Sequence, residues 1–208
     1  MDGSAVVHVV DDDDAVRDSL AFLLESSDFT VRTYASAADF LAVAGTFRTG
    51  CVLTDVRMPG MDGLTLQKQL VARGCRLPVI VMTGHGDVPI AVQALKNGAS
   101  DFLEKPFDDA ALLAAVRGAM AESLRAEEAA AGAAELTERL AALTPREREV
   151  LERLVAGQAN KTIAFDLGTS PRTVEVQRAR VMEKMGARSL AELVRMSLVL
   201  EGVARPPR

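Results

Sequence analysis

Across the first 124 residues, short uninterrupted apolar runs alternate with stretches in which apolar residues recur every three or four positions. Continuous β-branched runs mark strands buried on both faces, and the longer period marks amphipathic helices. Five runs read as strands: Ala5 to Val10, Phe29 to Tyr34, Cys51 to Asp55, Leu77 to Met82 and Asp101 to Glu104. Each is followed by a helical pattern. The helices run through Val16, Leu20, Leu23 and Leu24; from about Ser36; from Gly63 to Ala72; through Ile90, Ala94 and Leu95 to a stop at Asn97-Gly98; and from near Asp108. Asp13 or Asp14, and Ser36, stand where a helix needs a side-chain cap. The alternation predicts an α/β fold, a doubly wound five-stranded parallel sheet with helices on both faces.

After that the period stays helical to the end of the chain. Residues 110–143 are dominated by Ala, Glu, Leu and Arg, strong helix formers, so the last helix of the first domain (1–124) is expected to run into a helical linker at 125–140. Val116, Met120 and Leu124 form one apolar stripe and Leu136, Leu140 and Leu143 another; beyond the first domain these are expected to be exposed and to pair with a second chain. Residues 141–208 divide into four helices, a small all-α domain. Thr144-Pro-Arg-Glu147 opens the first as a capping box, and Asn160 to Leu167 forms the second. Gly168-Thr-Ser170 turns the chain into a long helix from Pro171 to Met185, and Ser189 caps the last, to about Leu200. A short helix, a tight Gly turn and a longer helix make a helix-turn-helix outline.

Composition changes this picture little, but charge sharpens it. With 49% hydrophobic and 25% charged residues the chain is ordinary for a globular protein. Two cysteines without metal-ligand spacing, no basic-then-apolar leader and no apolar run near the roughly 20 residues of a membrane span point to a cytoplasmic protein with free thiols. The net charge of −5 is unevenly spread: −7 over 1–124, −2 over 125–140 and +4 over 141–208. A basic tail behind an acidic body favours nucleic-acid contact.

In a doubly wound sheet, sites form at the carboxyl ends of the strands where the strand order reverses. The residues at those ends are Asp11 and Asp12, Asp55, Thr83 and Lys105. Three carboxylates at one edge repel each other unless a cation joins them, and Mg²⁺, or Mn²⁺, accepts such oxygen donors together with a phosphate. Asp12 and Asp55 are the candidate direct ligands, with Asp11 acting through water and the backbone carbonyl of Arg57 completing the shell. Asp55, on the central strand, can also attack phosphorus to form an aspartyl phosphate, with Thr83 and Lys105 holding phosphoryl oxygens. His8 and His85 have no Ser or Cys partner and read as structural. On the long helix of the tail, Val174, Val181 and Met185 share an inward face. Arg172, Glu175, Val176, Ala179 and Glu183 lie opposite, a face suited to base edges and thymine methyls in a major groove. Lys161, Arg178, Arg180, Lys184 and Arg188 flank it as phosphate contacts, and Ser170 and Thr173 stand at its start.

Asp11-Asp12, Asp55 with Met58-Pro-Gly60, Thr83-Gly84 and Lys105-Pro106 together resemble the receiver domain of two-component response regulators, of flavodoxin-like fold, over residues 1 to about 124. Thr144-Pro-Arg-Glu-Arg148, Asn160-Lys-Thr-Ile-Ala164 and Ser170-Pro-Arg-Thr-Val174 resemble the LuxR/NarL-type DNA-binding domain over 141–208. With Thr83-Gly-His-Gly-Asp-Val-Pro89 and Phe102-Leu-Glu-Lys-Pro-Phe107, the chain is similar to the FixJ subgroup. The resemblance implies phosphorylation of Asp55 by a sensor histidine kinase, Mg²⁺ dependence, a cis Lys105-Pro106 bond and Phe102 as the switch residue. It further implies homodimerisation on phosphorylation and binding of double-stranded promoter DNA, with RNA polymerase as a further partner, activation of transcription, and no enzymatic activity beyond the receiver's own aspartyl phosphorylation and dephosphorylation. Gln177 stands where relatives often carry His. Two alternatives stay open on the residues alone: a Mg²⁺-dependent phosphohydrolase with an Asp nucleophile, and a DNA-binding regulator that works without phosphate.

Overall fold

In a computed structural model, which describes residues 5–84 and 88–204, the chain forms two compact units, 1–128 and 129–208. The first contains strands β1 (Val6–Val10), β2 (Thr30–Tyr34), β3 (Gly50–Asp55), β4 (Val79–Thr83) and β5 (Asp101–Glu104). All pair in parallel, in the order β2-β1-β3-β4-β5. Helices α1 (Asp14–Glu25), α2 (Ala37–Val43), α3 (Gly63–Ala72) and α4 (Val88–Lys96) connect them, with a 3₁₀ turn at Ala44–Thr46. This is the expected five-stranded, flavodoxin-like sheet.

Period-two alternation divides the core between the two faces. Val52, Val79 and Val81 point to one side, where Phe40, Leu66, Leu70 and Ala94 from α2, α3 and α4 cover them. Cys51, Leu53, Ile80 and Met82 point to the other, under Leu20 and Leu24 of α1 and Leu112 and Val116 of α5 (Asp109–Ala141). Fully burying a side chain of this size stabilises by roughly 1.5–3 kcal/mol, so both layers are held firmly. The edge strands β2 and β5 are mostly exposed, while β1, β3 and β4 are buried almost throughout.

Several expected boundaries move. Asp13 caps α1, accepting from the amides of Ala15 and Val16, and Ser36 caps α2. β4 starts at Val79 rather than Leu77, because Pro78 has no amide to donate to a ladder; the strand instead extends through Thr83. Asp108 lies before α5 and accepts from the Ala111 amide. As expected, the last helix of the first unit runs on into the linker: α5 is continuous through Gly118 and Gly132, and the boundary between the units falls within it. Residues 85–87, including His85 in the Thr83 to Asp87 loop, lie outside the described residues.

The second unit holds the end of α5 with α6 (Pro145–Val155), α7 (Asn160–Asp166), α8 (Pro171–Met185) and α9 (Leu190–Ala204), the last running further than Leu200. Its core joins Leu143, Val150, Leu154, Ile163, Val174, Val181, Met185 and Leu193, with Leu140 packed against it. The second linker stripe is therefore not a free pairing seam, as its sequence suggests. Leu140 and Leu143 are consumed by the core of their own unit, and Val116 by the first. Only Leu124 of the first stripe remains about half exposed.

Candidate functional site

β1, β3 and β4 end side by side. Asp11 follows β1, is 2% exposed, and has both carboxylate oxygens engaged: Oδ1 accepts from the Asp13 amide at 3.0 Å and Oδ2 from Lys105 Nζ at 3.1 Å. Its carbonyl accepts from Arg17 Nη1 at 2.7 Å, fixing the turn into α1. Asp55 closes β3, its side chain 13% exposed, with Oδ1 accepting from Lys105 Nζ and Oδ2 from the Arg57 amide, each at 2.5 Å. One lysine thus bridges two carboxylates on different strands. Burial alone pulls the Lys105 ammonium down; the hydrogen bond and charge of Asp55, and then of Asp11, outweigh it and leave the net shift upward.

Lys105 reaches this position because β5 pairs with β4 up to Glu104 and the Lys105 amide then donates to the Thr83 carbonyl at 2.7 Å. The Lys105-Pro106 bond is cis. Thr83 is buried at the end of β4, one strand from Asp55. Phe102 lies on the edge strand β5 and is 37% exposed. A cleft of about 350 Å³ opens beside Lys105, between Ala15 and Ser19 of α1 and Pro106 and Phe107.

Asp12 is exposed, and among the described residues no group of three His, Cys, Asp or Glu side chains is placed to hold a metal. The positive charge that joins Asp11 and Asp55 is the Lys105 ammonium. The donors are nonetheless all hard oxygens, on the buried Asp11 and the partly exposed Asp55, and that chemistry fits a magnesium-type ion. Gly63 is a site residue the sequence reading did not identify. Its amide donates to the Val56 carbonyl at 3.0 Å, and a Cβ there would overlap the Asp55 carbonyl, so only glycine lets α3 start this close to the end of β3. The Met-Pro-Gly turn was legible; this close approach was not.

In the second unit α7, a turn and α8 form the helix-turn-helix. Ser170 caps α8, accepting from the Thr173 amide at 3.1 Å, and the two hydroxyls hydrogen-bond each other at 2.8 Å; both candidate DNA contacts also build the cap. Val174, Val181 and Met185 are buried as expected. Arg172, Glu175, Val176, Ala179, Arg180 and Glu183 are exposed, with Val176 at 48%, and Arg178 is half-buried. Lys161 and Arg188 are exposed on neighbouring segments. Lys184 differs from expectation: its ammonium donates to Glu147 Oε2 at 2.7 Å and to the Ala142 carbonyl at 3.2 Å, so its charge is spent inside the unit. That pair, with the Thr144 amide, holds the Glu147 carboxyl below its ordinary value. Gln177 lies on the half-buried flank, and its Oε1 is buried with no partner among the described residues. The sequence also left Phe165 of α7 unremarked; it is 86% exposed.

The sheet order, the lysine-bridged carboxylates at its switch point and the helix-turn-helix define a class: a receiver-type α/β unit joined to a DNA-binding unit. Family profiles agree. The Response regulator receiver domain family matches residues 7–117, and the luxR family of bacterial regulatory proteins matches 141–197. The chain is 61% identical over 204 residues to Transcriptional regulatory protein FixJ of Azorhizobium caulinodans, covering 98% of this chain and 96% of that one. Among solved structures, the response regulator StyR matches with a TM-score of 0.83 at 40% identity, covering 94% of this chain and 98% of that one. Full-length FixJ from B. japonicum matches with a TM-score of 0.59 at 48% identity, covering 95% and 98%. The chain belongs to the FixJ group of two-component response regulators, with a receiver followed by a LuxR-type DNA-binding domain. Like its relatives it is a transcriptional regulator, and among the described residues no helix is long and apolar enough to cross a membrane.

Proposed function

We propose that Asp55 is the phosphoacceptor and that its phosphorylation by a sensor histidine kinase controls promoter binding by α8. The observation that carries this reading is the Lys105 bridge, which holds Asp55 and Asp11 together at the strand ends with the Asp55 carboxylate 13% exposed. In the reaction an Asp55 oxygen attacks the phosphorus of the donor's phosphoryl group, and the bond from phosphorus to the donor's leaving nitrogen or oxygen breaks. Lys105, already at Asp55, pairs with one phosphoryl oxygen, and the Thr83 hydroxyl donates to another. Asp11, Asp12, Asp55 and the Arg57 carbonyl would hold Mg²⁺ (or Mn²⁺), which when bound neutralises phosphoryl charge. Moving Lys105 from the carboxylates to the phosphoryl group alters the β5 end, where Phe102 stands as the switch residue.

The output follows from α8. Arg172, Glu175, Val176 and Ala179 face base edges, while Lys161, Arg178, Arg180 and the Ser170-Thr173 cap face phosphates; Lys184 supports α8 from within. Phosphorylation drives homodimerisation and promoter binding, leading to activation through RNA polymerase. The protein works in the cytoplasm and catalyses no reaction beyond its own aspartyl phosphorylation and dephosphorylation. Incubation with acetyl phosphate and Mg²⁺ labels the wild-type chain, and Asp55→Asn abolishes labelling at that site; undiminished labelling of the variant would sink the assignment.

A further inference from the structure

The end of α5 is built into the reading head. Helix α8 ends at Met185, where the last carbonyls of any helix lack partners and carry the negative end of the helix dipole. Arg139, from the last turn of α5, fills that need: its Nη1 donates to the Met185 carbonyl at 2.8 Å. The other arm of the same guanidinium, Nη2, donates to Glu135 Oε1 at 2.6 Å, one turn back on α5. This fork has its two arms in the right places only while residues 135–139 are helical. The α8 terminus is shaped to receive it. Gly186 takes φ 72°, and a Cβ on it would overlap Arg139 Nη1, so the guanidinium fills the space a side chain would need. Lys184 of α8 reaches back to the Ala142 carbonyl at 3.2 Å, just past the end of α5.

We infer that Arg139 is a positioning residue for DNA reading, through which helical order in the last turns of α5 sets the seating of the recognition helix α8. The inference rests on the proposed reading of α8 as the DNA-reading helix. While α5 is helical to Ala141, Arg139 pins the α8 terminus and its outward face is held in one orientation. When those turns unwind, the pin is released and base contacts lose register, while the sequence-independent attraction to phosphates persists. The linker is therefore part of the DNA-binding machinery.

The test uses the full chain, treated with acetyl phosphate and Mg²⁺. A duplex is first recovered by in-vitro selection with the wild-type protein, and affinities for it and for a random-sequence duplex of equal length are measured at fixed salt. In Arg139→Ala the ratio of selected to random affinity is expected to fall about tenfold, the size of one lost base-pair recognition. Random-duplex binding stays within about twofold. Arg139→Lys, which reaches one partner but not both, recovers part of the ratio. Hydrogen exchange at the Gly186 and Ala187 amides, bonded to Glu183 and Met182, speeds up in Arg139→Ala. A purely structural role would lower both affinities in parallel with the folded fraction and leave their ratio alone. A wild-type ratio in both variants overturns the inference, and if Arg139→Ala does not fold, Arg139→Lys alone decides it. Failure of the wild-type chain to select any duplex sinks the DNA-reading assignment and this inference with it.

Discussion

His8 makes the stability of the receiver unit depend on pH in a way that can be worked out in advance. It sits in β1, three residues before Asp11, fully buried, with Nδ1 3.1 Å from the Tyr34 hydroxyl. The rings of Phe47 and Phe40 pack at 4.2 and 5.2 Å, and Nε2 is buried with no partner among the described residues. Burial, helped by the charge of Arg32, lowers its pKa from 6.5 to about 4. The folded value lies below the unfolded one, so the unfolded chain binds the proton more tightly. The neutral ring's contribution is present in full above pH 6.5 and is lost as the pH falls towards 4. At about 1.4 kcal/mol per pKa unit, the loss is about 2 kcal/mol between pH 7 and pH 5 and about 3 kcal/mol by pH 4. The chain has one tyrosine and no tryptophan, so Tyr34 fluorescence during urea unfolding reports on the first unit alone. Carboxylates also titrate in acid, and His8→Gln, which cannot gain this charge, subtracts them. Wild type is expected to lose about 2 kcal/mol more than His8→Gln between pH 7 and pH 5. Equal losses in the two proteins would refute the reasoning.

Lys105→Ala leaves Asp11 and Asp55 facing each other without a cation. Breaking a buried pair costs about 3–5 kcal/mol, but the Lys105 side chain is 31% exposed, so a loss of about 1–2 kcal/mol is expected in thermal unfolding, with added Mg²⁺ raising the Tm of the variant more than that of wild type. Gly63→Ala forces α3 away from the Asp55 carbonyl and should cost about 1–3 kcal/mol, with slower acetyl phosphate labelling; labelling at the wild-type rate would show that the close approach does not matter to the site. Lys161→Ala should lower the slope of log affinity against log salt for duplex DNA by about 1, whereas Lys184→Ala, whose charge is held by Glu147, should leave the slope unchanged.

Much of this molecule can be read from one dimension. Period-two runs and capped helices are local features, set by side-chain alternation and backbone needs a few residues apart. The sequence alone therefore specified the five strands and their helices, the Thr144 and Ser170 caps and the Val174, Val181 and Met185 stripe. The strand-end residues were legible as a set because a doubly wound sheet brings its carboxyl ends together whatever lies between them. Tertiary structure decided which partners those residues take. Lys105 and Asp11 are 94 positions apart, and only the β4–β5 register brings one ammonium onto two carboxylates. The same holds for Lys184, which looks like a free cation on a helix surface until Glu147 folds against it, and for Leu140, an apolar stripe residue that its own unit buries. Charge pairing and close approach depend on distances between segments, which periodicity does not encode. For that reason Gly63 and Arg139, whose partners lie on other elements, became visible only in the folded chain.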